Sequence, residues 1–190
     1  MVLGPHYIAY TDGSCIKGKK GGWAYVLIDP TNEVKEENGG PVEETTNNVM
    51  EMTAAAQAIS QVPPGSKCIV HSDSTYVIKG CQSWVHKWRE NGWETSTGSA
   101  VINQKLWEWL YDLCLTRDVV WKWVKGHSGD KGNERVDRLA KEAAGFYDPK
   151  NKKKKKINKG KPKRKWENPP LPVTKRLKLS EKEAEELEFM

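Results

Sequence analysis

An α/β fold, with a five-stranded mixed sheet whose first three strands are antiparallel and whose faces carry helices, is predicted by three observations. The chain opens with three consecutive strand-like runs joined by turn residues. A helical run then precedes a short β-branched run, the order expected of a strand, crossover helix and parallel strand. Finally, the helix and strand signals alternate to the end of the periodic region, which suits a sheet covered by helices. The 190 residues are 37% apolar, enough for one domain with a sizeable core plus an appendage.

The elements follow in order. "HYIAYTD", "GGWAYVLID" and "EVKEENGGPVEE" read as strands of a meander, the first two joined by the glycine- and lysine-rich "KGKKGG" turn. In "NNVMEMTAAAQAISQV", Val49, Met52, Ala56 and Ile59 recur at helical spacing, and "KCIVHSD" is short enough for a buried strand. "STYVIKGCQSWVHKWRENGW" and "NQKLWEWLYDLCL" read as helices, "DVVWKWV" as the fifth strand and "NERVDRLAKEAAGFY" as a closing helix. Trp107, Trp109, Trp121 and Trp123 are expected in the core or partly covered.

After "KEAAGFYDPK" the periodic pattern gives way to lysine, asparagine, glycine and proline. This sets a domain at 1–148 and a tail at 149–190, comprising a disordered lysine-rich linker and a short acidic segment with helical signals. The net charge of +6 is unevenly spread: residues 150–165 hold 11 basic groups and no acid, while residues 1–149 sum to −3. Attraction of the body to a polyanion must therefore rest on local geometry or metal ions. No apolar run reaches a membrane span and no secretory signal opens the chain, so a cytoplasmic monomer with no membrane partner is expected. The basic "KPKRK" leaves nuclear entry open. Cys15, Cys68, Cys81 and Cys114 form no C-x-x-C pair and read as reduced structural thiols.

Four acids have a common destination. Asp12 is expected at the end of the first strand and Asp73 at the end of the fourth. If these strands are parallel neighbours, both emerge at the carboxyl edge where ligands bind in open α/β sheets. Glu51 lies one turn into the first helix and Asp137 in the first turn of the last, so both can point at the same spot. Four crowded carboxylates repel one another unless cations neutralise them, and an all-oxygen set favours Mg2+ or Mn2+. Each acid also has a plainer reading: Asn48 and Glu51 have the spacing of a helix-capping pair, and Asp73 before "STYV" can cap a helix.

The ordered set "YTDGS", "TTNNVMEMTAA", "SDSTYV" and "WVKGHSGDKGNERVDRLA" closely resembles type 1 ribonuclease H, both the bacterial enzymes and the retroviral reverse-transcriptase domain. The likeness runs from about Tyr7 to Ala144. It implies a ribonuclease H-like fold and an endonuclease that cuts the RNA strand of RNA/DNA hybrids using two Mg2+ ions, with Mn2+ a substitute. It assigns Asp12, Glu51, Asp73 and Asp137 as metal ligands and His127 as an assisting group in a glycine-rich loop. Glu134, one turn before Asp137, lies near the second metal.

For the substrate, the resemblance implies that Asn47 and Asn48 read the minor groove and that Thr46 and Asn103 grip a DNA-strand phosphate. Capping is the alternative role for these residues. Trp84, Trp88 and Trp93 match a handle that binds the DNA strand, although Trp84 and Trp88 at i,i+4 also suit a helix packing on a core. The handle departs from the bacterial pattern: Glu90, Asn91 and Glu94 stand where lysines are usual, and Thr75 replaces a glutamine common in relatives. The competing functions are a non-catalytic nucleic-acid-binding module and a different nuclease of the same superfamily. The tail's protein partner is left open.

Overall fold

The computed structural model describes residues 5–16 and 20–146. The expected tail, 149–190, and the first half of the "KGKKGG" turn lie outside the described residues. Five strands, β1 (Tyr7–Ile16), β2 (Lys20–Ile28), β3 (Val34–Glu43), β4 (Lys67–Ser72) and β5 (Asp118–Trp123), form one sheet in the order β3-β2-β1-β4-β5. β1 with β2 and β2 with β3 are antiparallel, whereas β1 with β4 and β4 with β5 are parallel. The predicted mixed sheet is therefore present, with β1 at its centre.

Strand periodicity distributes β2 between two cores. Trp23, Tyr25 and Leu27 join the larger cluster, while Ala24 and Val26 join the smaller one with Val136 and Ala140. Successive strand side chains point to opposite faces, so these clusters mark the two sides of the sheet. Helix α1 (Asn47–Ser60) covers the first side, where Ala54, Ala55, Ala56 and Ala58 are fully buried and let it pack closely. Helix α4 (Gln104–Leu115) backs α1 and contributes Trp107 and Leu110. Helix α5 (Lys131–Ala143) covers the opposite side.

The long helix expected from "STYVIKGCQSWVHKWRENGW" is broken into α2 (Thr75–Lys79), a π-helical segment (Gly80–Trp84) and α3 (Val85–Glu90). Gly80 explains the close fit here, since a Cβ on it would stand 2.0 Å from the Trp107 ring. Trp123 departs from the expected cover, at 56% exposed. Among the described residues no helix is long and apolar enough to cross a membrane.

Candidate active site

The parallel pairing of β1 with β4 runs from Tyr7 opposite Cys68 to Tyr10 opposite His71. Continued by two residues, this register sets Asp12 across from Asp73. Asp73 directly follows β4, as expected, and the Trp123 indole N–H donates to its backbone carbonyl at 3.2 Å. Asp12 does not end its strand: β1 continues to Ile16 because Gly13, Ser14 and Cys15 stay paired with β2. The acid thus projects from the middle of the central strand, and it is buried.

Glu51 reaches this position through a glycine. A Cβ on Gly13 would lie 2.2 Å from the Glu51 backbone nitrogen, so only a glycine lets α1 cross β1 this closely. The Glu51 carboxylate is then fixed from two sides: Ser74 Oγ donates to Oε2 at 2.5 Å and Asn47 Nδ2 donates to Oε1 at 2.7 Å. Burial raises the Glu51 pKa and nearby Asp73 adds to the rise, while the hydrogen bonds from Ser74 and Asn47 oppose it. Ser74 also caps α2 by accepting from the Val77 N–H. The helix-capping role considered for Asp73 belongs to Ser74 instead.

Asp137 lies on α5, but in its second turn, because that helix begins at Lys131 with Asp130 as its cap. The expected first-turn placement is corrected: the Asp130 cap starts the helix at Lys131, two residues before Asn133, the start that the sequence suggests. Lys141 Nζ lies 2.7 Å from Asp137 Oδ1 and 2.8 Å from Oδ2. Glu134 is exposed in the first turn, where its charge suits the positive end of the helix.

Electrostatics link the four acids. Burial, followed by the charges of Asp73 and Asp137, pushes the Asp12 carboxyl up to about 8; Glu51 adds to the rise, while the Gly13 N–H opposes it. The donor set is all oxygen and mutually repulsive, the chemistry that a hard divalent cation relieves. Among the described residues no three His, Cys, Asp or Glu side chains stand close enough together to hold an ion as they lie. Ser74 and Asn47 engage Glu51, and Lys141 engages Asp137, so the acids sit in their own hydrogen bonds and ion pairs. The residue types and their shared field nevertheless fit such an ion.

His127 is exposed on the loop between β5 and α5 and has a left-handed backbone, φ 54°. Gly126 beside it leaves room for Asp73: a Cβ there would lie 2.8 Å from Asp73 Oδ2. The loop and the carboxylates are therefore neighbours.

The residues assigned to substrate divide. Thr46, rather than Asn48, caps α1, its hydroxyl accepting from the Val49 N–H. Asn47 is turned to Glu51, and Asn48 is exposed. Asn103 stands at the start of α4 with φ 62° and makes no side-chain cap bond. Trp84 and Trp88 are half-buried in an aromatic group, with ring centroids 5.8 Å apart and Trp88 5.6 Å from Trp107. Sequence reading missed Ser74 and Lys141. The signal for Lys141 was present as an i,i+4 acid–base pair with Asp137, whereas Ser74 was hidden inside the motif quoted for Asp73.

Residues 5–145 match the family model for RNase H. The chain belongs to the ribonuclease H family. A ribonuclease H of Hahella chejuensis is 46% identical over 141 residues, covering 72% of this chain and 94% of that protein. A solved structure described as LC9-RNase H1, a type 1 RNase H with the type 2 active-site motif, is 28% identical, with TM-score 0.64 over 76% of this chain and 74% of that one. The PFV RNase H domain in solution shares the fold, with TM-score 0.63 at 21% identity over 75% of this chain and 96% of that one. The chain is accordingly a ribonuclease H enzyme, as its motifs imply.

Proposed function

We propose that this ribonuclease H hydrolyses the RNA strand of RNA/DNA hybrids at Asp12, Glu51, Asp73 and Asp137, which together would hold two divalent ions, Mg2+ by preference. The observation that carries this reading is the parallel register of β1 and β4, which sets Asp12 on the central strand across from Asp73; there burial, Asp73, Asp137 on α5 and Glu51 on α1 raise the Asp12 carboxyl to about 8. Such a cluster opposes folding unless it is neutralised, and a structural role supplies no reason to assemble it. Members of the family use divalent metal ions, and when bound such ions activate water for attack and offset charge on the leaving oxygen.

The chain's own groups have distinct parts. Ser74 and Asn47 orient Glu51, and Lys141 pairs with Asp137. His127, exposed on a loop beside Asp73, is suited to carry a proton between solvent and the reacting groups. Thr46 and Asn103 are polar groups at helix starts, where backbone N–H groups favour contact with a DNA-strand phosphate, and Asn48, exposed beside Asn47 at the start of α1, suits the minor groove. Trp84 contributes the edge of its aromatic group to the DNA strand.

Labelled RNA/DNA hybrid, double-stranded RNA and double-stranded DNA, each with and without magnesium, test this reading. Cleavage confined to the RNA strand of the hybrid and dependent on magnesium is expected. Metal-independent cutting, or equal cutting of double-stranded RNA, overturns it.

A further inference from the structure

Two of the cysteines that sequence reading treats as inert meet at a cavity. It has a volume of about 90 Å³ and lies between α4 and the π-helical segment with α3, lined by Cys81 and Cys114 together with Val85, Trp107 and Tyr111. Both cysteines are free and partly accessible, and they line the same cavity, one from the π-helical segment and the other from α4. The elements meet closely here because Gly80, next to Cys81, lets the Trp107 ring rest directly on the backbone. π-helical turns often mark functional sites rather than plain packing.

The two thiols are unequal. The neighbouring Cys81 thiol, and after it the Arg117 guanidinium, lower the Cys114 pKa against the effect of burial. Cys81 is pushed the other way by Cys114 and by burial and stays protonated. The remaining cysteines differ in kind. Cys68 is fully buried and its thiol is raised to about 12, mainly by burial. The Cys15 thiol donates to the Thr45 carbonyl at 3.3 Å, on a different part of the sheet.

We propose that Cys81 and Cys114 form a peroxide-sensitive dithiol that closes into an intramolecular disulfide joining the π-helical segment to α4. The cavity admits a molecule the size of hydrogen peroxide. The Cys114 thiolate attacks one peroxide oxygen, the O–O bond breaks, and the departing hydroxide takes a proton to become water, leaving a sulfenic acid. The Cys81 sulfur then attacks the Cys114 sulfur, the S–O bond breaks, and hydroxide leaves with the Cys81 proton as a second water. Two thiols are oxidised by two electrons and one peroxide is reduced. The linkage encloses residues 82–113, including Trp84 and Trp88, and so ties down the surface that carries the aromatic group.

The full reduced chain is treated with stoichiometric hydrogen peroxide, alkylated, digested without reductant and examined by mass spectrometry. The expected product is a peptide pair joined through Cys81 and Cys114, lighter by two hydrogens and released by dithiothreitol, with Cys15 and Cys68 alkylated as in untreated protein. In Cys81→Ser, oxidation should stop at a Cys114 sulfenic acid trapped by a cyclic 1,3-diketone; in Cys114→Ser, no sulfenic acid should form at Cys81. A linkage to Cys68 or between two chains, a persistent sulfenic acid in the parent, or two unreacted thiols at doses that oxidise free glutathione overturns the proposal. Cleavage activity is not a readout, so the outcome does not depend on the catalytic reading.

Discussion

Asp12 couples stability to chemistry in a single side chain. Its carboxyl, ordinarily near 3.8, is raised to about 8 by burial and neighbouring acids. A proton therefore binds the folded state more tightly than the unfolded one. The stability linked to this protonation is fully present below the unfolded value and is lost as pH rises through the folded one. The metal-free protein should lose denaturant resistance between about pH 4 and pH 8, and magnesium should restore part of it at the upper end. Asp12→Asn should flatten this pH dependence while reducing hybrid cleavage by far more than tenfold. Urea melts at several pH values, paired with cleavage rates, check both. A variant that keeps cleavage within about tenfold, a barrier change under roughly 1.4 kcal/mol, contradicts the metal-ligand role. His127 differs because it stands on an exposed loop rather than within the acid cluster. His127→Ala should slow turnover by about 10²- to 10⁴-fold, with magnesium binding by calorimetry unchanged; weakened metal binding with intact chemistry would make it a ligand instead.

At the scale of elements, the site depends on how closely α1 crosses β1. Gly13→Ala places a methyl 2.2 Å from the Glu51 backbone nitrogen, and neither strand nor helix backbone can move aside cheaply. Overpacking of this kind costs about 1–3 kcal/mol, and α1 must carry Glu51 away from Asp12. The expected result is a lower urea midpoint together with reduced cleavage that extra magnesium does not fully recover. Full recovery would mean that the crossing tolerates the methyl. The succession of strands and helices along the chain was legible because β-branched runs and helical spacing are local signals, and the pairing of β1 with β4 meets the condition under which Asp12 and Asp73 lie side by side. The continuation of β1 through Gly13, Ser14 and Cys15 was not, since these small or polar residues are held in the strand by pairing with β2 rather than by a propensity of their own. The α5 boundary was missed for a related reason, as the Asp130 cap outweighs the helix-breaking tendency of Gly132. Nor did the apolar pattern of "STYVIKGCQSWVHKW" reveal the π-helical turn, which accompanies the contact between Gly80 and the Trp107 ring across the core.

For the whole molecule, charge is separated along the chain. The body, residues 1–149, carries a net −3, while residues 150–165 carry 11 basic groups and no acid. Glu90 and Glu94, in the region expected to act as a handle, are exposed acids and add nothing to attraction for a polyanion. The lysine run can supply that attraction as a tether: neutralising phosphates releases counterions, so binding should fall steeply with salt and show no preference for sequence. A chain ending at Asp148 should keep its cleavage chemistry at saturating hybrid but bind more weakly at low salt, with a shallower slope of log affinity against log salt. Removing only the acidic stretch from Ser180 onward should strengthen binding if its glutamates compete with phosphate for the same lysines. Fluorescence anisotropy on a labelled hybrid across a salt series separates these cases. Equal affinity and slope for the full and shortened chains would assign the lysine run no part in substrate capture, leaving the acidic body to hold the hybrid without it.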